Sequence, residues 1–139
     1  MVSFRRMEKL TSREFIFFNK YVEYSPPGWV EVDSKWYPLG FKVVDSKNRS
    51  LGLRNNQNII TFFPNAWNDL PKNQTEAGPN DWGGVWSALS LSGATTLRKH
   101  CLNTWGMKTK IYYAALSNPL YANSYRVKSQ GLMLLEELR

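Results

Sequence analysis

Side chains that can hold an anion occur in two short polar clusters. One is the run Tyr-Arg-Val-Lys at 125–128, and the other is Arg-Asn-Asn at 54–56. An Arg side chain donates paired hydrogen bonds to a phosphate or a carboxylate. The alternative to anion binding is that 125–128 is a strand with its Tyr and Val inward. Its Arg and Lys are then two solvated cations on the outer face. The ligand-binding residues that we predict in these clusters are Arg54, Asn56, Tyr125, Arg126 and Lys128.

Three tryptophans flank or lie in the longest irregular stretch of the chain, residues 64–81, which also contains Lys72. A Trp ring can stack on a base or a nicotinamide while nearby cations hold the phosphates. The alternative is that the rings pack in the core or a lid, which we favour for Trp86 and leave open for the other two. We therefore add Trp67 and Trp82 to the predicted ligand-binding residues, and we expect 64–81 to fold over the domain as a lid.

The acidic pair Glu136-Glu137 lies in the last predicted strand. One of two adjacent strand residues must point toward the covered face of the sheet. A carboxylate held there needs a partner, and Arg126 or Arg54 would suit. The alternative is that the end of the strand frays and exposes both acids.

Most signatures of catalysis and metal binding are missing. The sequence has no Walker-type phosphate loop, no Gly-x-Gly-x-x-Gly and no Gly-x-Ser-x-Gly. His100 and Cys101 are adjacent, and adjacent residues point to different faces of a helix, which argues against a Cys–His nucleophile pair. No residues have the spacing of metal ligands, so we expect no metal. The pair Gly83-Gly84 fits a bulge or close strand packing as well as the approach of a ligand.

Size and charge indicate one basic domain. The 139 residues fit a single domain, 1–139, that buries a core without disulfides or metal. Lys and Arg number 18 against 11 Asp and Glu, and the net charge of +7 favours anionic partners. We see no signal-peptide pattern and no apolar run of membrane-spanning length, so we expect a cytoplasmic protein with no membrane contact.

Local patterns predict a sheet with about two helices. A capping-box pattern at 11–14 favours a helix over 12–23, with a strand as the alternative. Ser92 is the predicted cap of a helix that ends at Gly106, and its apolar stripe is Ala94, Leu97, Cys101 and Trp105. Strands are predicted at 29–32, 41–44, 51–54, 58–63, 83–89, 110–116 and 131–138. The expected fold class is α+β: a single domain with a mostly antiparallel sheet, about two helices and a long central loop.

The order of the back half, GGVWSALSLSGATTLRKHCLN…KIYYAAL…LMLLEEL, resembles the second half of the ADP-ribosyltransferase-like superfamily over residues 82–138. The resemblance implies NAD as the ligand. It also implies catalytic positions for Ser87, at the middle motif, and for Glu136 or Glu137, at the glutamate motif. The early-strand Arg or His typical of that superfamily is absent, and the matching segment 40–44 offers only Lys42.

The sequence therefore predicts an intracellular nucleotide-binding domain that uses or binds NAD or a related nucleotide, on the resemblance to ADP-ribosyltransferases. The alternative is a non-catalytic basic module, binding or inhibitory, that docks on nucleic acid or on an acidic protein. A third interpretation, a structural subunit of a larger assembly, would account for the many aromatic residues.

Overall fold

The computed structural model describes residues 4–7, 24–52 and 59–138. In these ranges the chain forms seven strands, one 3₁₀ turn at Lys72–Gln74 and one α-helix, α1 (Leu91–Trp105). The strands are β1 (Phe4–Met7), β2 (Trp29–Val32), β3 (Lys35–Asp45), β4 (Trp67–Asp69), β5 (Val85–Ala88), β6 (Thr109–Ala122) and β7 (Arg126–Leu138).

All strand pairs in the sheet are antiparallel. The strand β6 lies between β3 and β7, and the other edge of β7 pairs first with β5 and then with β4. Because β5 also pairs with β3, the strands β3, β6, β7 and β5 form a closed cycle of hydrogen-bonded neighbours. A single residue pair, Phe41 with Ala88, closes that cycle.

Both faces of the strands are apolar, so the strands read as nearly continuous hydrophobic runs rather than as alternating ones. In β3, Leu39, Phe41 and Val43 join a cluster that includes Ala94 of α1. Val44 joins a second cluster with Leu116 and Leu134 on the opposite face. The central strands therefore carry two apolar layers, and any polar side chain on either face needs a local partner.

The helix α1 packs on the first of these layers. Ala94 and Cys101 are fully buried and Leu97 packs beside them, as the apolar stripe predicts, but Trp105 is 53% exposed. The cap is Ser90 rather than Ser92, because the Ser90 hydroxyl accepts a hydrogen bond of 3.0 Å from the Gly93 amide. Gly106 ends the helix in the left-handed conformation, with φ of 63°.

The long hairpin of β6 and β7 differs from the prediction at its tip. Asn118-Pro119 does not end β6, which continues to Ala122. Asn118 adopts a φ of 47°, and the register shifts between Pro119 and Tyr121, so the strand absorbs the proline as an irregularity. The strand β7 starts at Arg126, five residues earlier than predicted, since 126–129 pairs with β5.

The predicted fold class, an α+β domain with about two helices and a long central loop, is wrong for the described residues. They form a mostly antiparallel sheet with the single helix α1. The helix predicted at 12–23 lies outside the described residues. The stretch 64–81 is not a structureless loop, since it contains β4 and the 3₁₀ turn. An isolated bridge between Arg49 and Thr61 replaces the described parts of the strands predicted at 51–54 and 58–63.

A substitution at Gly131 tests how closely β4 packs against β7. A Cβ at this position would overlap the Asp69 carboxylate and the Asn68 carbonyl. We expect Gly131→Ala to lower the free energy of unfolding by about 3 kcal/mol, as overpacking does. Gly106→Ala is the control: its Cβ meets nothing within 4 Å, so it loses only about 1 kcal/mol through its left-handed backbone. Denaturant unfolding of both variants measures the difference, and equal losses would contradict the close packing.

Candidate functional site

A cavity of about 290 Å³ lies where β3 and β5 separate beyond the pair Phe41–Ala88. Residues 41–43 of β3 and 84–88 around β5 form two of its walls. Ser50, Leu51, Gly52, Ile60 and Phe62 close a third side, and Gly93 and Leu97 of α1 close a fourth. Asp81, Tyr125 and Arg126 complete the lining.

Lys42 is the buried cation of this cavity. It occurs on the β3 face that carries Val44, and it is only 8% exposed. Its Nζ donates a hydrogen bond of 2.6 Å to the Trp86 carbonyl and lies 5.4 Å from the centre of the Phe62 ring. No described carboxylate pairs with it. Burial lowers the pKa of Lys42 from 10.5 to about 8, because an ammonium loses its hydration there.

Ser87 lies beside Lys42 on the same face of the strands. A Cβ at Gly40, two residues before Lys42, would lie 3.1 Å from the Ser87 Cβ, so Gly40 leaves room for the serine. The Ser87 hydroxyl is buried and finds no hydrogen-bond partner among the described residues. Buried hydroxyls are rarely left unpaired, so this one has unused hydrogen-bonding capacity next to the cavity.

Arg126 and Trp86 form the next wall. The Arg126 guanidinium carbon lies 3.8 Å from the centre of the Trp86 ring, a cation–π contact, and Nη1 lies 3.3 Å from the Asp81 carboxylate. Trp86 also donates from Nε1 to the Asp81 carbonyl and contacts Tyr121 edge-on. The Nε atom of Arg126 is buried without a hydrogen-bond partner in the described part of the chain. Arg126 therefore has one donor unused beside the cavity.

Lys128 is fully buried, which excludes the solvated cation that was the alternative interpretation of 125–128. Its Nζ donates to the carbonyls of Asn80 and Trp82, at 3.0 and 3.1 Å. A side chain at Gly84 would overlap the Lys128 stem, so the glycine lets Lys128 cross the strand. The role that the structure shows for Lys128 is to hold residues 80–82 against the sheet, and it does not line the cavity.

Of the other predicted ligand-binding residues, Tyr125 is 57% exposed where it lines the cavity. Trp82 is exposed and does not line it. Trp67 packs in the core against Tyr37, with ring centres 4.7 Å apart, rather than over the cavity. Arg54 and Asn56 lie outside the described residues.

Glu136 and Glu137 are at the far end of β7 from the cavity. Ser87 pairs with Val127 near the start of that strand, whereas Glu137 pairs with Tyr112 near its end. Nine strand residues span roughly 30 Å, so the structure does not bring Glu136 or Glu137 to Ser87. Glu136 is exposed.

Sequence reasoning did not predict Lys42 or Asp81 as ligand-binding residues. The signal for Lys42 was available, since Gly-Phe-Lys-Val-Val places one cation among apolar residues of a predicted strand. A strand with one solvent-facing side accounts for such a lysine equally well, and only the second apolar layer shows that it is buried.

Comparison with protein-family models, with curated proteins and with solved structures finds no match for this chain. The resemblance to ADP-ribosyltransferases stays a prediction. Within 24–52 and 59–138, no three His, Cys, Asp or Glu side chains group as metal ligands. The helix α1, the only α-helix of the described ranges, is too short and too polar to cross a membrane.

The buried ammonium of Lys42 predicts an unusual pH dependence of stability. The folded protein releases this proton near pH 8, whereas the unfolded chain releases it near 10.5. Between these values the unfolded state binds more protons, so the free energy of unfolding rises with pH. Relative to a Lys42→Met variant, we expect the wild type to gain about 3 kcal/mol from pH 8 to 10.5. Below pH 8 the full penalty of burial remains.

Urea unfolding of both proteins from pH 6 to 10.5 measures this difference. The subtraction removes the titration of the other lysines and the tyrosines, which both proteins share. Lys47→Met, at an exposed lysine of the turn after β3, serves as the control and should track the wild type at every pH. A constant difference between wild type and Lys42→Met would show that Lys42 titrates as a solvated lysine does.

Proposed function

We propose that this domain binds a small anion with an aromatic or apolar body, of the size of a mononucleotide, in the cavity between β3 and β5. The observation that carries the proposal is Lys42: a buried ammonium that lines a cavity and has no carboxylate partner among the described residues. A phosphate or carboxylate in the cavity would supply the missing charge.

Three residues that line the cavity carry donors for such a group. Lys42 uses one hydrogen bond on the Trp86 carbonyl and keeps two N–H groups for a ligand. The Ser87 hydroxyl and the Arg126 Nε are buried and lack partners within the described ranges. Leaving such groups unpaired costs about 1–3 kcal/mol each, and a bound anion would remove that cost.

The charges beside the cavity sum to a positive site. Asp81 offsets Arg126 through their ion pair, and Lys42 has no such offset among the described side chains. The cavity therefore attracts one negative group rather than two. Apolar side chains such as Phe41, Val85 and Leu97 line much of the rest, which suits a base or another flat apolar body.

The cavity size limits the ligand. Small-molecule sites span about 300–1,000 Å³, so 290 Å³ is at the low end and fits a mononucleotide or one half of NAD. The proposal is binding rather than ADP-ribosyl transfer, since Glu136 and Glu137 lie far along β7 from Ser87. It keeps the cytoplasmic location that the sequence predicted.

Calorimetry with AMP, ADP-ribose, NAD and inorganic phosphate tests the proposal. We expect AMP to bind more tightly than phosphate, because its base adds contact with the apolar walls. Lys42→Met should weaken AMP binding about ten- to a hundredfold, the loss of a charged hydrogen bond. Lys47→Met, which removes the same charge from the surface, should leave the affinity unchanged. Equal weakening by both variants, or no AMP binding by the folded wild type, would refute the proposal.

The pH dependence of binding gives an independent check. Lys42 loses its proton near pH 8 in the free protein, and a bound anion would stabilise the protonated form. We expect the affinity for AMP to fall about tenfold between pH 7 and 9, with proton uptake on binding at pH 8. Titrations in buffers of different ionisation enthalpy measure that uptake. An affinity that is flat across this range would exclude Lys42 as the anion ligand.

The alternative function, docking of a basic surface on nucleic acid or on an acidic protein, predicts a different salt response. Affinity for a polyanion falls steeply with added salt, as counterions are released. An anion paired with the buried ammonium of Lys42 is screened less than one on the surface. Steep salt dependence with DNA or RNA, unaffected by Lys42→Met, would favour the alternative.

A further inference from the structure

The cavity holds a side chain that can do chemistry as well as bind. Lys42 is the only lysine that lines it among the described residues, and apolar residues surround its stem. A lysine is a nucleophile only when it is neutral, and a water-poor pocket favours the neutral form. Lys42 thus combines three features: its amine is a potential nucleophile, its side chain lines a cavity, and the neighbouring Ser87 has a hydroxyl without a partner in the described chain.

Lys42 is part of the cavity lining, so a ligand in the cavity lies against its side chain. The Trp86 carbonyl fixes it at 2.6 Å and orients the side chain without neutralising it. The next residue along the strand is Ser87, which also lines the cavity and whose buried hydroxyl has no hydrogen-bond partner in the described chain. A hydroxyl of this kind can donate a hydrogen bond to the oxygen of a carbonyl compound bound at Lys42.

We propose that Lys42 forms an imine with a small carbonyl compound that carries a phosphate or a carboxylate. The Nζ lone pair attacks the carbonyl carbon and the C–N bond forms. The carbonyl oxygen then leaves as water, with both hydrogens of the amine, and a C=N bond remains. The step needs neither an oxidant nor a reductant. It rests on the proposed function, because the compound must occupy the same cavity, with its anionic group at Arg126 rather than at the reacting amine of Lys42.

The charged groups around Lys42 are consistent with this reaction. Arg126 and Asp81 are the other ionisable groups of the lining besides Tyr125, and they are paired with each other. No described carboxylate therefore competes for the amine or holds it protonated. Arg126 also lines the cavity, and its Nε makes no hydrogen bond within the described ranges.

Pyridoxal 5′-phosphate is a suitable probe, since it combines an aromatic ring, a phosphate and an aldehyde. Its alcohol, pyridoxine 5′-phosphate, matches it in size and charge but cannot form an imine. Incubation of the wild type with the aldehyde at pH 8, reduction by borohydride and peptide mass spectrometry locate the adduct. We expect Lys42 to be modified at least about tenfold faster than the exposed Lys47, because burial favours the neutral amine of Lys42. Excess AMP should slow the reaction at Lys42 only.

Comparing pyridoxal 5′-phosphate with pyridoxine 5′-phosphate distinguishes failure of this inference from failure of the proposed function. If pyridoxine 5′-phosphate binds but the aldehyde modifies exposed lysines and spares Lys42, the inference is wrong and the binding site stands. If pyridoxal 5′-phosphate, pyridoxine 5′-phosphate and AMP all fail to bind, both proposals are wrong. Modification of Lys42 that AMP does not slow would also overturn the inference, because the amine and the anion site would then be separate. Lys47→Met should leave the rate at Lys42 unchanged, and this control does not depend on the folding of a cavity variant.

Discussion

One hydrogen bond, from Lys42 to the Trp86 carbonyl, organises the region around the cavity. The strands β3 and β5 share a single backbone pair, Phe41–Ala88, and then diverge. Beyond that pair the lysine side chain spans the gap that a continued ladder would have closed. The cavity exists because the strands separate there, and it contains a cation because a lysine rather than a backbone amide makes the connection. The same contact explains why the ammonium is buried: its acceptor belongs to a strand with apolar side chains on both sides.

The three cations of this region are satisfied in three different ways. Lys128 is held by two backbone carbonyls under residues 80–82, and Arg126 is held by Asp81 and the Trp86 ring. Each of these is a structural solution to a buried charge. Burial lowers the pKa of both lysines, but Lys42 has a single acceptor, the Trp86 carbonyl, and lines the cavity. Lys128 and Arg126 therefore stabilise the fold, whereas Lys42 keeps hydrogen-bond donors that a ligand could use. Buried charged groups of this kind are typical of functional sites.

Local patterns in the sequence predicted the elements better than their arrangement. The helix stripe from Ala94 to Cys101 and the strands near 29–32 and 131–138 follow from periodicity, which depends only on neighbours in the chain. The single contact of Phe41 with Ala88 joins residues far apart in sequence, and no local pattern encodes it. The burial of Lys42 likewise depends on a second apolar layer supplied by other strands. Arg126 was predicted as a ligand residue from its type alone, and its partner Asp81 was not, because their contact exists only in the folded chain.

The most direct test is the titration of the Lys42 side chain itself. Lysine labelled with ¹³C at Cε reports the protonation of its own Nζ by NMR, and the Lys42→Met spectrum assigns the signal by its loss. The account predicts a midpoint near pH 8 for the free protein and an upward shift when AMP is added. A Lys42 signal that titrates with the exposed lysines, with or without AMP, would contradict the central claim that this cavity holds a buried amine with no described carboxylate partner.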